Sequence, residues 1–202
     1  MKRELSIKAL RLEIRGLKEK NKALKKEIKR LKRIEVIDPL TNVFNRRAFH
    51  SAFENACQEV TIAAKRNKRK QKPQYSLILI DIDNFKELND TFGHSFGDQV
   101  LKKFGQFLQA MVRNVDAVFR WGGEEFVIIL HNTSIEQAQT IAENIQISAC
   151  AAKMPYFCAG VAQCKPGLSQ KDIFNKADKA LYEAKRNGKN KICIEKPLVV
   201  NN

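Results

Sequence analysis

Two glycines followed at once by two carboxylates, Gly122-Gly123-Glu124-Glu125, sit between two short runs rich in branched and aromatic residues. The runs Ala117–Trp121 and Phe126–Leu130 each read as a strand. The glycines then fall at a hairpin tip, where they supply the positive φ of a tight reversal. Taken alone, such a tip is most often a solvated end. A second acidic site upstream argues otherwise. Ser76-Leu-Ile-Leu-Ile reads as a buried strand and runs into Asp81-Ile82-Asp83, two carboxylates two residues apart. Burying a carboxylate at a strand end is costly unless a cation or hydrogen bonds compensate. A strand-end acid beside a hairpin-tip acid is the donor pattern of an oxygen cage for Mg²⁺, an ion held by one or two carboxylates and shared with substrate phosphates.

The elements that must position these residues follow from periodicity and turn chemistry. Helices are expected from Arg46 to about Lys65, around Phe85 to Asn89, from Asp98 to Arg113, from Ile135 to Ala149 and from Gln170 to Arg186. Besides the strand ending at Asp81 and the hairpin, strands are expected from Tyr156 to Gln163 and from Lys191 to Glu195. Strands and helices alternate irregularly around a central hairpin. That order predicts an α/β (α+β) domain with a mixed, mainly antiparallel central sheet covered by helices, as in ferredoxin-like folds.

Five separated motifs bind these pieces together: Asp38-Pro-Leu40-Thr41-Asn-Val-Phe-Asn45-Arg46-Arg47; Asp81-Ile-Asp83-Asn-Phe85-Lys86-Glu-Leu-Asn89-Asp90; Gly93-His94-Ser-Phe-Gly97-Asp98; Arg120-Trp-Gly122-Gly123-Glu124-Glu125-Phe126; and Ala180-Leu181-Tyr182-Glu-Ala184-Lys185-Arg-Asn-Gly188-Lys189-Asn190. In this order they resemble the GGDEF domain of bacterial diguanylate cyclases, in the variant whose hairpin reads GGEEF. The resemblance runs from about Asp38 to Ile194 and implies a palm-like sheet shared with nucleotide cyclases and polymerases.

The reaction it implies joins two GTP into cyclic di-GMP, the 3′-hydroxyl of each attacking the α-phosphate of the other and displacing pyrophosphate. The resemblance makes Asp81 and Glu124 metal carboxylates and the Ile82 carbonyl a backbone ligand, for two Mg²⁺ per active site, with Mn²⁺ as an alternative. Glu125 is the neighbouring acid, for metal binding or for activating the hydroxyl. Lys86, Lys185 and Lys189 match triphosphate ligands, Phe85 lies in the substrate site, and Asn89 and Asp98 match the readers of guanine. A carboxylate there accepts from guanine N1–H and its amine, which adenine does not offer. Arg113 and Asp116, an Arg-x-x-Asp pair nine residues before Gly122, match an inhibitory product site. There a guanidinium forks onto a base edge or phosphate and the carboxylate accepts from the base. Departures are Lys189 where many members have Arg, Asn42-Val43 for the usual Gly-Leu, and Cys158-Ala159 for the usual Ser-Ile.

The chain's net charge of +15 is concentrated at its start, where residues 1–35 hold 14 Lys/Arg against 5 Asp/Glu. Those residues carry a heptad repeat, with Ile7, Ile14, Asn21 and Ile28 at one core position and Leu10, Leu17, Leu24 and Leu31 at the other. Branched residues at a, leucine at d and one buried Asn favour a parallel two-stranded coil. Glu13 with Lys18′ and Glu27 with Lys32′ support it, whereas Lys20 faces Lys25′. The pattern stops at Glu35 and Asp38, and Pro39 forbids further helix. The expected domains are therefore a coiled-coil helix over 1–35, giving a homodimer, and a catalytic domain over 36–202. Lys65 to Lys72 supplies six positive charges with no apolar residue and reads as a solvated loop.

No basic stripe with interleaved aromatics appears, so nucleic acid is not the expected partner. A basic-zipper DNA binder would want a basic helix ahead of the zipper, and only six residues precede Ile7. No apolar run reaches the roughly 18 residues of a membrane span. The five cysteines contain no Cys-x-x-Cys, which predicts reduced thiols and a cytoplasmic protein. The competing class is a catalytically weak module sensing GTP or cyclic di-GMP. Such members usually lose a hairpin acid, and this chain has both.

Overall fold

The computed structural model describes residues 14–25, 27, 36–66 and 73–195. They divide into two units after Val36. In the first, residues 14–25 are helical, and Ile14, Leu17 and Leu24 are exposed. A shallow groove runs past Ile14, Leu17 and Asn21 between Lys18, Lys22 and Lys25. The heptad positions Ile7, Leu10, Ile28 and Leu31, the charges Glu13, Lys32 and Glu35, and residues 67–72 of the basic stretch lie outside the described residues.

The second unit runs β1 (Phe44–Asn45), α1 (Arg46–Arg66), β2 (Tyr75–Ile82), α2 (Phe85–Phe92), α3 (His94–Met111), β3 (Ala117–Gly122), β4 (Glu125–His131), α4 (Ile135–Ala151), β5 (Phe157–Gln163), α5 (Gln170–Arg186) and β6 (Ile192–Ile194). One six-stranded sheet has the order β1-β3-β4-β2-β5-β6. Its central joints, β3–β4, β4–β2 and β2–β5, are antiparallel, and the short edge strands β1 and β6 pair in parallel. The sheet is thus mainly antiparallel and covered by helices on both faces.

Period-two alternation assigns each strand residue to a face. Ile78, Ile80 and Ile82 of β2 join Phe126, Ile128 and Leu130 of β4 under α3 and α4, through Leu101, Phe104, Leu108, Ala138, Ala142 and Ile145. Leu77 and Leu79 with Val127 and Ile129 lie under α1 and α5, against Phe49, Phe53, Ile173, Ala177 and Leu181. Asp81 and Glu125 continue that second alternation, so the sheet aims both acids toward α5. Helices α4 and α5 each start at a capping box, Ser134 with Gln137 and Ser169 with Asp172.

Three local features differ from the sequence expectation. Helix α3 begins at His94 rather than Asp98, because Gly93 at φ 82° closes α2 and lets the next helix start at once. Gly97 therefore sits inside a helix, where a Cβ would come within 2.0 Å of Asn89 Oδ1. The hairpin turn is Gly123-Glu124, and only Gly123 takes a positive φ, at 49°. Asn42, where the resemblance leads one to expect glycine, takes φ 60°, a left-handed conformation that Asn tolerates, so the backbone path is kept.

All five cysteines are free thiols, with Cys57 and Cys164 in buried contact at 3.7 Å between sulfurs. Among the described residues no helix is long and apolar enough to cross a membrane.

Helix α5 crosses β5 at Gly160, where a Cβ would lie 2.0 Å from the Ala177 carbonyl oxygen and 2.4 Å from the Leu181 nitrogen. Both neighbours are backbone and cannot step aside. Gly160→Ala should destabilise the domain by about 2–3 kcal/mol, at the upper end of overpacking costs. Urea unfolding at unchanged m-value checks this, and a wild-type midpoint would show that the crossing is looser than described.

Candidate active site

The centre of the site is an acid pair. Asp81 and Glu125 are direct partners in the β2–β4 ladder, and Asp81 is only 9 % exposed. Burial pushes the Asp81 carboxyl up, the nearby Glu124 and Asp83 add to this, and Lys185 opposes it. The Lys185 ammonium, on the last turn of α5, meets Asp81 Oδ2 at 2.7 Å. Burial likewise raises Glu125, with Asp81, Glu124 and Asp178 adding repulsion against the pull of Lys185. The domain thus gathers more negative charge here than Lys185 neutralises.

Four hydrogen bonds fix the hairpin beside this pair. The Ile82 N–H donates to the Glu124 carbonyl at 3.4 Å, joining the turn to the end of β2. Arg120 Nε and Nη2 donate to the Gly123 carbonyl at 3.1 and 3.0 Å. Arg120 Nη1 donates to Asp38 Oδ1 at 3.2 Å. Asp38 Oδ1 also accepts from the Thr41 N–H and hydroxyl. Burial opposes ionisation of Asp38, but the Thr41 bonds and Arg120 together hold its carboxyl below the usual range. Sequence reasoning gave Arg120, Asp38 and Thr41 no role. Their signal was an Arg two residues before the glycine pair, with an Asp-x-x-Thr far upstream as its counterpart.

The second acid of the Asp81-Ile82-Asp83 motif is engaged differently. Asp83 accepts from the Asn190 N–H at 2.8 Å and from the Cys158 thiol at 3.2 Å. Burial, with Asp83 nearby, pushes the Cys158 thiol up to about 11. Lys189 bonds the Asn84 side-chain oxygen, and Lys86 stands exposed in the first turn of α2. On α2, Phe85 is buried. Asn89 keeps a buried amide oxygen with no hydrogen-bond partner, close to Gly97, and Asp98, the next residue of α3, is exposed. An unsatisfied buried polar group costs about 1–3 kcal/mol, which a ligand can relieve.

As a metal site, the donors are oxygens, as Mg²⁺ requires. Among the described residues no group of three or more His, Cys, Asp or Glu converges as a cage. The expected oxygen cage is therefore not closed by protein alone. Two carboxylates and a main-chain carbonyl fit an ion completed by phosphate and water.

Arg113 and Asp116 meet at the far end of the β3–β4 hairpin, in a groove of about 420 Å³ that also includes Asn132, Thr133, Gln137 and Thr140. Arg113 Nε and Nη2 donate to the two Asp116 oxygens at 2.8 and 2.9 Å, and Nη2 also donates to the His131 carbonyl at 2.8 Å. Asp116 Oδ1 accepts the His131 N–H at 2.9 Å. Its side chain is 1 % exposed while that of Arg113 is 54 %. Burial would raise the Asp116 carboxyl, but Arg113 and His131 together draw it below its ordinary value. Asp116 thereby holds the Arg113 guanidinium at the edge of the groove.

The sequence profile of the family described as diguanylate cyclase, GGDEF domain, matches residues 35–191. Diguanylate cyclase DgcM of Escherichia coli strain K12 is 39 % identical over 161 residues, covering 77 % of this chain and 37 % of that protein. The structure of the coiled coil and GGDEF domain of DgcB from Caulobacter crescentus, in complex with c-di-GMP, superposes with a TM-score of 0.82 at 26 % identity, covering 92 % of this chain and 98 % of that one. The active GGEEF domain of a diguanylate cyclase from Vibrio cholerae superposes at 0.65 with 39 % identity, covering 76 % and 97 %. This chain belongs to the GGDEF diguanylate cyclase family. It spans 37 % of the length of that Escherichia coli relative and 49 % of a Vibrio cholerae one.

The raised Glu125 carboxyl carries a stability consequence with a definite sign. A carboxyl whose folded pKa lies above its unfolded value contributes stability fully present below the unfolded value, and that stability is lost as pH rises through the folded one. Glu125→Gln mimics the protonated form. Without divalent metal it should raise the melting temperature at pH 7, by about 2–4 °C per kcal/mol of relieved repulsion. The gain should vanish below pH 4.5, the ordinary value for Glu. Calorimetry in chelator across pH 4–8 checks this. A gain that persists at pH 4 would mean the residue is not strained by charge.

Proposed function

We propose that this chain is a diguanylate cyclase, condensing two GTP into cyclic di-GMP and two pyrophosphates between two copies of the domain. The observation that carries the reading is the under-neutralised acid pair Asp81 and Glu125 beside Glu124, with Lys185 bonded to Asp81. Asp81, the Ile82 carbonyl and Glu124 would hold two Mg²⁺ (or Mn²⁺), which when bound neutralise charge developing on the attacking and leaving oxygens. Lys185 then exchanges Asp81 for triphosphate oxygens, joined by Lys189 and Lys86. Asn89 and Asp98 take the guanine edge over Phe85, and the orphaned Asn89 amide gains a partner. Glu125 serves as a further metal ligand or as acceptor of the 3′-hydroxyl proton. Because each domain holds one GTP, the reaction needs two domains face to face, and the apolar stripe Ile14-Leu17-Leu24 with Asn21 supports a coiled-coil homodimer. Phosphoryl transfer then rests on positioning and charge rather than covalent help.

Incubation with GTP and Mg²⁺, with products identified by mass spectrometry, should yield cyclic di-GMP. Asp81→Ala and Glu124→Ala should each lower kcat by about 100-fold or more while retaining the fold, since each removes several kcal/mol of charge stabilisation. Near wild-type turnover in both would refute the metal assignment.

Product inhibition acts through the Arg113 groove. Asp116 and His131 hold the guanidinium at the groove's edge, half exposed, where it can fork onto a guanine or phosphate of cyclic di-GMP. Arg113→Ala should weaken product binding by about 10- to 100-fold, the range for one bidentate contact, and raise product yield at late times. Equal affinity for cyclic di-GMP in wild type and Arg113→Ala, by calorimetry, would sink this reading.

A further inference from the structure

Asp83 stands two residues beyond Asp81, and no step assigned above uses it. Its carboxylate is nevertheless engaged at both oxygens, Oδ2 with the Asn190 N–H at 2.8 Å and Oδ1 with the Cys158 S–H at 3.2 Å. Its own N–H donates to the Tyr156 carbonyl at 2.9 Å, so the residue is held from both sides. The segment it grips is unusual. Gly188, Lys189 and Asn190 have φ of 101°, 58° and 44°, three consecutive residues in left-handed backbone, two of them with side chains. L-residues enter that region at a cost and stay only where the surroundings fix them. Two anchors are visible: the Asp83 carboxylate on the Asn190 N–H, and Gln146 Nε2 donating to the Asn190 side-chain oxygen at 3.1 Å. Next to Asp83, Asn84 is left-handed as well, with φ 55°. Its side-chain oxygen receives the Lys189 ammonium. Two strained segments 105 residues apart in sequence are thus joined at the end of β2 by one main-chain N–H to carboxylate bond and one side-chain to side-chain bond.

We propose that Asp83 is a positioning residue for the substrate's triphosphate, holding the Gly188–Asn190 turn so that Lys189 is presented at the end of β2. The Lys189–Asn84 bond keeps the ammonium there until phosphate oxygens displace the amide. Asp83 touches neither metal nor substrate. The same geometry gives the buried Cys158 a part, since its thiol donates one hydrogen to Asp83 Oδ1. The proposal rests on the assignment of Lys189 to the triphosphate.

The test combines steady-state kinetics with hydrogen exchange on the full chain, for wild type, Asp83→Ala, Asp83→Asn, Lys189→Ala and the double variant Asp83→Ala/Lys189→Ala. Asp83→Ala should raise the KM for GTP about tenfold with kcat within about threefold, the pattern of lost binding rather than lost chemistry. Asp83→Asn, which keeps an acceptor for the Asn190 N–H, should recover most of that loss. The double variant should be no worse than Lys189→Ala. The Asn190 amide should exchange at least about tenfold faster in Asp83→Ala, and affinity for GMP, which lacks the β- and γ-phosphates, should not change. If Asp83→Ala fails to fold, Asp83→Ser, with one shorter acceptor, carries the same measurements. A rise in KM for Lys189→Ala without one for Asp83→Ala overturns this proposal alone. An unchanged KM in Lys189→Ala overturns the triphosphate assignment and the proposal together. A fall in kcat at constant KM in Asp83→Ala would make Asp83 part of the chemistry and also overturn it.

Discussion

Asp81 and Glu125 face one another across the β2–β4 ladder on the side of the sheet that α5 covers, and most of the domain's unusual features trace to that placement. Two ionised carboxylates on adjacent strands repel, and burial strengthens the repulsion by removing water. One lysine on α5 offsets part of it. That lysine reaches Asp81 only because α5 lies close to the sheet, and it lies close because Gly160 and Ala177 meet with no side chain between them. A small residue in the middle of β5 thereby governs the electrostatics at the end of β2. A cluster left short of positive charge destabilises the fold, and a ligand supplying cations to it would stabilise the fold by mass action.

Charge alone does not make a site; the acids must also be held still. The Gly123-Glu124 turn would be a flexible tip if its carbonyls faced water. Instead the Arg120 guanidinium grips the Gly123 carbonyl from one side while the Ile82 N–H takes the Glu124 carbonyl from the other. Arg120 is in turn fixed by Asp38, whose carboxylate also closes the Thr41 turn at the start of the domain. Preorganisation of this kind removes reorganisation from the barrier, which is where phosphoryl transfer has most to gain. It also places the first turn of the domain two hydrogen bonds from the hairpin.

How much of this could be read from the residues varies with the kind of signal. The central strand, the hairpin and the long helices were legible because hydrophobic alternation and capping residues are local. The helices expected from Ile135 and from Gln170 start where α4 and α5 do. Local reading fails where a glycine's reason is tertiary. Gly97 looks like a helix breaker, yet it lies within α3 because Asn89 needs the space where its Cβ would be. Two-residue β1 carries no periodicity and was not foreseen. At the site, residue types identified the acids, but not that Lys185 would rest on Asp81, nor that Asp83 would face inward to Asn190. Both depend on where α5 and the Gly188–Asn190 turn return to the sheet, a contact spanning about half the chain.

The groove at Arg113 lies at one end of β4 and the acid pair at the other, which raises the question of how product bound at the first could affect the second. Arg113 and Asp116 hold the carbonyl and N–H of His131, the last residue of β4, and Glu125 is the first. Transmission along the strand would require β4 to have a second arrangement. It is paired along its length with β3 on one side and β2 on the other. Its side chains from Phe126 to Leu130 are fully buried on both faces. A strand so constrained is stiff but not bistable, and coupling needs an element with two states. The outward-facing part of Arg113 is free of that constraint, because Asp116 holds it from behind and leaves about half of it in solvent. Under the proposed reading, product held there would act between copies of the domain, tying surfaces together in a pose that keeps two acid pairs apart, with no distortion of either.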